Sequence, residues 1–331
     1  MNKDGFPFFS VIIPLYNKEQ FVERCIRSVL AQRCGDYELI VVDDGSSDAS
    51  AAVVRSISDP RIKILTQSNQ GVSAARNKGA KSAAGQWLAF LDADDQWGHD
   101  HLAELKLIID TFSEVGAVAT SSREVLEGGD SKFLEMTQPG RLRVINYFKE
   151  AQKEIGVLNA SSIAIRRNVF SALGGFGTYR YGEDLEYWAR LALRYSVAKS
   201  DRETVVYYRE NGGAMDNMAK TALSGAPLPR TLSDLSPSVA MLYAHLSDLS
   251  RHAEMYQSVL GYINARLLQA LRGSFIRGDI NRLKALRALW IFPPVGVRQR
   301  RWWLFAALPS PMLVFLSRLR AFVKRFYLWF R

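Results

Sequence analysis

Cysteine and histidine are scarce in this chain of 331 residues, with two of the first and four of the second. Cys25 falls in an apolar stripe at helix spacing and Cys34 follows soon after, so the two read as reduced thiols rather than a disulfide, which fits the cytoplasm. His99, His101, His245 and His252 are scattered through helical contexts and form no ligand cluster, so all four read as structural. The segment Met1–Ser10 lacks an apolar stretch long enough for a signal peptide, and nothing in it suggests export. Acids are nearly absent from the C-terminal end: residues 272–331 hold thirteen Lys/Arg and one acid, Asp279. Subtracting that +12 from the whole-chain +10 leaves −2 for residues 1–271, so the basicity belongs to an appendage and nucleic-acid binding by the core loses its support. Glycine is missing from the first turn, Pro14-Leu15-Tyr16-Asn17, which excludes the glycine-rich fingerprint of a dinucleotide oxidoreductase.

What remains is an ordinary globular composition, 48% apolar and 23% charged, in a chain long enough for a catalytic core of roughly 200 residues plus an appendage. Short apolar runs at Ser10–Leu15, Glu38–Val42, Ile62–Leu65, Trp87–Leu91 and Gly116–Ala119 read as buried strands. Between the first two, Phe21, Val22, Cys25, Ile26, Val29 and Leu30 recur at helix spacing, and Gly71–Ala84 is an Ala-rich helical segment. This alternation predicts an α/β fold, a mainly parallel, Rossmann-like twisted sheet with flanking helices whose ligands bind beyond the strands' carboxyl ends. Further on, a polar stretch at Gly128–Lys153 precedes a strand at Leu158–Ile165, a helix at Gly182–Arg194 and a strand at Thr204–Tyr208. Ser238–Leu271 reads as one long helix. We set the boundary near residue 232, giving a catalytic domain 1–232 and a helical, basic region 233–331.

Two acidic turns follow predicted strands. Asp43-Asp44-Gly45-Ser46-Ser47-Asp48 ends the second, and a carboxylate there suits the N3–H of uracil or the N1–H of guanine; equally, Asp48 could cap the next helix while Asp43 or Asp44 closes the turn. Asp92-Ala93-Asp94-Asp95 ends the fourth, and carboxylates so crowded call for a divalent cation with oxygen ligands, such as one bridging a diphosphate. The plainer alternative, an acidic helix start, applies best to Asp95.

Taken in order, Val11-Ile12-Ile13-Pro14-Leu15-Tyr16-Asn17, Asp43-Asp44-Gly45-Ser46, Gly71-Val72-Ser73-Ala74-Ala75-Arg76-Asn77, Asp92-Ala93-Asp94-Asp95 and Gly182-Glu183-Asp184 resemble the family-2 glycosyltransferases of GT-A fold over residues 9–210. The resemblance implies a nucleotide-diphosphate sugar donor. It places Pro14 and Tyr16 against the nucleoside, Asp44 on the base, Arg76 near the nucleotide, Asp92 at the ribose and Asp94 on a metal, Mg²⁺ or Mn²⁺. Gly175, within Gly174-Gly175-Phe176, would line the sugar site. Asp184 would be the general base, deprotonating the acceptor hydroxyl as it attacks with inversion, unless it and Glu183 serve only the helix dipole. Where many relatives read Tyr-Arg-x-His, this chain has Tyr208-Arg209-Glu210-Asn211, so the histidine contact is missing. A haloacid-dehalogenase-type phosphatase also uses Asp-x-Asp at a strand end, but wants Thr or Val where Asp95-Gln96 stand. The non-enzymatic alternative is a catalytically inactive nucleotide-sugar-binding protein of the same fold.

At the C-terminus, Trp302–Leu316 is uncharged but only 15 residues long and contains Pro309 and Pro311, too short and too broken to span a bilayer. At 100° per residue, Leu319, Phe322, Val323, Phe326, Trp329 and Phe330 share one helical face and Arg320, Lys324 and Arg331 another. With eight Lys/Arg and no acid in 298–331, this predicts a peripheral segment on an anionic membrane surface at the inner face of the cell membrane. The alternative is that these apolar residues pack on the catalytic domain or form a dimer contact. The acceptor expected for such an enzyme is a glycan or lipid-linked hydroxyl, as in surface polysaccharide assembly.

Overall fold

Seven consecutive buried residues, Phe9–Leu15, form strand β1, and no polar face interrupts them because helices cover the sheet on both sides. A computed structural model of the protein describes residues 6–126, 140–179, 181–209, 228–249, 253–290 and 297–318. After β1 come α1 (Val22–Leu30), β2 (Tyr37–Asp43), α2 (Ser50–Ser56), β3 (Ile62–Thr66), α3 (Val72–Ser82), β4 (Trp87–Phe90), β5 (Gln96–Trp97), α4 (His101–Thr111), β6 (Ala117–Leu126) and β7 (Leu142–Ile145). Then follow α5 (Tyr147–Ala151), β8 (Ile163–Arg166), α6 (Arg167–Leu173), α7 (Glu183–Ala192) and β9 (Val197–Arg209). On α1, Val22, Cys25, Ile26 and Val29 are the buried stripe that the sequence spacing predicts. On α3 the approach to the sheet is closer, since a Cβ on Gly79 would stand 2.5 Å from Ile12 Cγ2.

Among the described residues nine strands form one sheet in the order β3-β2-β1-β4-β8-β6-β9-β5, with β7 beside β9. β3, β2, β1 and β4 pair in parallel; β8 is antiparallel to both β4 and β6; β9 is parallel to β6. Six strands therefore run one way, and only β5, β7 and β8 oppose them. The chain winds outward through β1, β2 and β3, then returns to the other side of β1 for β4. The carboxyl ends of β1, β2 and β4 thus flank a topological switch point, where such sheets bind ligands.

Several elements differ from the sequence reading. The strand expected over Leu158–Ile165 begins only at Ile163, after short 3₁₀ turns at Ile155–Val157 and Ala160–Ser162. β9 is thirteen residues long and extends well before Thr204. The polar stretch 128–153 contains β7 and α5, with 127–139 outside the described residues.

The chain divides into two compact units, one of residues 1–146 and 156–220, the other of residues 147–155 and 221–331. The second unit thus takes in Tyr147–Ile155 together with the C-terminal part of the chain. Its helices are α5, α8 (Pro237–Ala244), α9 (Leu246–Leu249), α10 (Ala253–Ile276), α11 (Ile280–Ala288), α12 (Val297–Phe305) and α13 (Ser310–Arg318). The single helix expected over Ser238–Leu271 is interrupted: α8 ends at Ala244, and the ring Nδ1 of the following His245 lies 2.9 Å from the Met241 carbonyl oxygen. Trp302, Phe305 and Leu313 are buried with Leu271, Phe275, Leu283 and Leu286 in this unit's own core, and Phe275 meets Phe305 edge-on at 4.8 Å. Much of the apolar run Trp302–Leu316 is therefore consumed within this unit, a packing the sequence reading did not name; Leu304 and Met312 stay exposed at 60% and 48%. Among the described residues no helix is long and apolar enough to cross a membrane.

Candidate functional site

The turn after β1 is fastened to the turn after β2 by side chains acting on backbone. Asn17 adopts a left-handed conformation (φ 51°), and its Oδ1 accepts from the Ser47 amide at 2.8 Å. The Lys18 amide donates to Ser50 Oγ at 2.7 Å and the Glu19 amide to Asp48 Oδ2 at 3.1 Å. Asp48 Oδ1 also accepts from Ser50 at the start of α2. This stitching leaves the Tyr16 ring 46% exposed at the mouth of the crevice.

Asp43 and Asp44 have separate tasks. Asp43 Oδ1 accepts from the Ser46 amide and closes the turn. Asp44 is buried and gathers three donors: Gln67 Nε2 (2.7 Å) and the Gln70 amide (2.9 Å) on Oδ1, and the Gly71 amide (2.8 Å) on Oδ2. Asp44 thereby fixes the loop that leads into α3.

The acids after β4 are individually compensated by the protein. Asp92 Oδ1 takes Arg76 Nη2 at 2.6 Å, and the other arm of the same guanidinium, Nη1, lies 3.3 Å from Glu183 Oε1. Burial works against the charge on Arg76, but Asp92 first and Glu183 next outweigh it and raise its pKa. Asp94 Oδ2 takes the ammonium of Lys18 at 2.6 Å, while Arg24 Nη2 donates to the Asp94 carbonyl at 2.8 Å. Asp95 faces inward, accepting from Ser161 Oγ at 2.5 Å and from the Tyr208 amide at 3.2 Å; burial, then Asp94 and Asp92, pushes its carboxyl well above the usual range. No helix starts at Asp95, since β5 follows directly. Crowding of acids alone therefore does not demand an external cation, because Arg76 and Lys18 already supply positive charge.

Glu183 and Asp184 open α7 behind Gly182. Burial raises the pKa of Asp184, with Arg76 opposing it; burial and then Asp184 raise that of Glu183. The Gly174-Gly175-Phe176 turn is held by Asn77, whose Nδ2 donates to the Phe176 carbonyl and whose Oδ1 accepts from the Phe176 amide, each at 2.8 Å. Gly175 has φ 75°, and a Cβ there would lie 2.6 Å from Asn77 Oδ1, so this position requires glycine.

A cavity of about 500 Å³ unites part of this set. Its walls include Pro14, Tyr16, Asp44, Asp92 and Asp94, together with Val72 and Tyr208 of the motifs quoted above and with Lys18, Asn69 and Tyr207, which the sequence reading did not single out. Arg76, Asp184 and Gly175 are not on its wall, although Arg76 is joined to it through Asp92. Lys18 could have been noticed as the next cation after Tyr16 in the same turn; nothing local marks Ser161 as the partner of Asp95. Asn211 lies outside the described residues.

Among the described residues no three His, Cys, Asp or Glu side chains converge as a metal cage. The donor chemistry nonetheless fits Mg²⁺ or Mn²⁺, which need only one or two carboxylates when phosphates and water complete the shell. Asp94 opens on the cavity and already holds a cation, the Lys18 ammonium, on Oδ2.

Comparison with known proteins agrees with this fold. The family described as glycosyl transferase family 2 matches residues 10–174. The uncharacterized glycosyltransferase alr2836 of Nostoc sp. (strain PCC 7120) is 30% identical over 226 residues, 65% of this chain and 68% of that protein. The uncharacterized glycosyltransferase EpsJ of Bacillus subtilis (strain 168) is 44% identical over 91 residues, which span only 26% of its length and 27% of this chain. Among solved structures, S. aureus TarS 1–349 in complex with UDP-GlcNAc superposes with a TM-score of 0.62 at 19% identity, covering 94% of this chain and 91% of that one. The mannosyltransferase PcManGT of Pyrobaculum calidifontis, in complex with GDP-Man and Mn²⁺, gives 0.51 at 19% identity, with 95% and 88% covered. At such identities the structural likeness speaks for the fold.

Proposed function

The chain belongs to glycosyl transferase family 2 and has an α/β fold of GT-A type, and on that premise we propose that it transfers a sugar from a uridine-diphosphate sugar to a hydroxyl of a glycan or lipid-linked acceptor, with inversion at the anomeric carbon. The observation that carries the reading is the convergence of Pro14, Tyr16, Asp44, Asp92 and Asp94 on one cavity at the carboxyl ends of β1, β2 and β4.

In this reading the exposed Tyr16 ring and Pro14 flank the base. Asp44 Oδ2, which takes one loop amide, has lone-pair capacity for the N3–H of uracil, and Asp92 meets the ribose. Asp94, with Asp92 beside it, would hold Mg²⁺ or Mn²⁺, a charge that offsets the one developing on the departing diphosphate. Asp184 takes the proton from the acceptor hydroxyl while that oxygen attacks and the bond from the anomeric carbon to the diphosphate breaks. The raised pKa of Asp184 makes it a better proton acceptor than an ordinary aspartate. Arg76 spans Asp92 and Glu183, so it holds the β4 end against the start of α7, next to the base. Gly175 lets the turn held by Asn77 approach the sugar site. The strongly basic C-terminal end supports action at the inner face of the cell membrane, in surface polysaccharide assembly.

A thermal-shift screen of nucleotide sugars with and without Mg²⁺ or Mn²⁺ tests the reading, since a ligand at 100 times its dissociation constant adds ~2.7 kcal/mol to stability. UDP-sugars are expected to stabilise most, and only with metal. Preference for GDP-sugars overturns the uridine assignment. Binding without transfer to any acceptor and without donor hydrolysis would leave an inactive nucleotide-sugar-binding protein.

A further inference from the structure

Lys18 presents its ammonium to Asp94, the carboxylate that would hold a divalent ion. Nζ stands 2.6 Å from Asp94 Oδ2, and both side chains are 28% exposed, so the pair sits at the cavity surface rather than in the core. Both residues line the cavity. The position of Lys18 is built. Its backbone amide is tied to Ser50 Oγ, the preceding Asn17 is locked to Ser47, and the ammonium also lies 5.6 Å from the centre of the Phe21 ring. Arg24 Nη2 engages the Asp94 carbonyl, while the Lys18 ammonium meets the carboxylate. A divalent ion and an ammonium held at contact distance by one carboxylate repel each other strongly.

We propose that Lys18 is a tethered counter-cation that competes with the divalent metal for Asp94: it neutralises the carboxylate when the donor is absent and is displaced when the metal enters with the diphosphate. The inference rests on the metal-dependent UDP-sugar reading above. On its four-carbon stem the ammonium can leave Asp94 without movement of the backbone. The competition weakens binding of bare metal and couples metal binding to the arrival of the nucleotide, whose phosphates accept the displaced ammonium. Lys18 is a positioning residue in this scheme, because it acts through Asp94.

Titration calorimetry of Mn²⁺ into the full chain, without nucleotide and with saturating UDP, reads this directly. Lys18→Met removes the competitor, and its affinity for Mn²⁺ without UDP is expected to rise at least ~10-fold, from removal of both the ion pair and the cation–cation repulsion. Lys18→Arg is expected to keep weak Mn²⁺ binding. Thermal unfolding of both variants checks the fold, and because two substitutions are used, loss of one to misfolding leaves the other informative. Unchanged or weaker Mn²⁺ binding by Lys18→Met, or equally tightened binding by Lys18→Arg, overturns the proposal. So does loss of UDP affinity in chelator with Mn²⁺ affinity unaltered, which would give Lys18 to the diphosphate alone. If wild type fails to bind UDP under any condition, the functional reading has failed; if it binds UDP with Mn²⁺ and Lys18→Met changes nothing, only the competition has.

Discussion

Arg76 reaches Asp92 with one guanidinium nitrogen at 2.6 Å and Glu183 with the other at 3.3 Å, while itself only 3% exposed. One buried cation thus sets where the end of β4 stands relative to the start of α7. Arg76→Met leaves two carboxylates without their partner. Losing one member of a fully buried pair costs ~3–5 kcal/mol, and because Asp92 keeps some contact with water we expect about 2–3 kcal/mol here. The urea midpoint should fall at unchanged slope. Arg76→Lys should recover only part of the loss, because an ammonium cannot span both acids.

Asp184→Asn should keep donor affinity and lower transfer by ~10²–10⁴-fold, as expected for loss of a general base. The pH profile carries a sign. Burial raises the pKa of Asp184 and Arg76 opposes that rise, so the acid limb of kcat/KM should lie above the range of an ordinary aspartate and move higher still in Arg76→Met. Near-normal transfer by Asp184→Asn would reassign the role, with Glu183 the first candidate.

Asp44, Asp92 and Asp94 were legible in the sequence because each follows an apolar run, and a strand's carboxyl end is where a doubly wound sheet binds ligands. The reversed direction of β8 was not, since an apolar run records burial and not polarity of the chain. Asp95 read as a helix-start acid because its partner Ser161 is distant in sequence. The crowding of acids after β4 is visible in the sequence, but its internal compensation by Lys18 and Arg76 depends on side-chain reach, which spacing does not encode. The burial of Trp302 and Phe305 in the second unit's core was not legible, because an uncharged apolar run does not name the apolar phase that covers it.

Gly175→Ala tests the turn beside the sugar site. The new Cβ must accept a left-handed backbone and push against Asn77 Oδ1, so the two hydrogen bonds between Asn77 and Phe176 should weaken. We expect a loss of about 1–3 kcal/mol in stability and a rise in KM for the donor sugar larger than that for free UDP. Equal effects on both ligands would move Gly175 out of the sugar site.

His101 should make stability depend on acid. It is fully buried, stacked on Trp97 at 4.2 Å and 2.7 Å from Thr204 Oγ1, and burial lowers its pKa from 6.5 to about 3. The folded pKa is depressed, so between about 3 and 6.5 the unfolded chain binds the extra proton. The stability associated with neutral His101 is full above about 6.5 and is lost as pH falls toward 3, by an amount on the order of 4 kcal/mol. His101→Phe, which keeps the stack, should flatten that limb of the stability curve measured by denaturant titration between pH 4 and 7; an unaltered limb would place the acid sensitivity elsewhere.

Membrane attachment is best tested by removing only residues 319–331, which lie outside the described structure. Ending the chain at Leu289 would strip Trp302, Phe305 and Leu313 from the core they share with α10 and α11, so a loss of lipid binding could be mistaken for a loss of folding. Ending it at Arg318 keeps that core. It deletes Arg320, Lys324, Arg325 and Arg331 together with the apolar face of Leu319, Phe322, Val323, Phe326, Trp329 and Phe330. Each basic residue near an anionic surface contributes ~1 kcal/mol, so the four together should matter far more for anionic than for neutral vesicles. The full chain is expected to float with anionic vesicles, less so at high salt, and the chain ending at Arg318 to remain at the bottom of the gradient with unchanged melting temperature. Equal flotation of both would shift the contact to the exposed Leu304 and Met312 and the basic residues of α12, and flotation of neither would remove the membrane from the account.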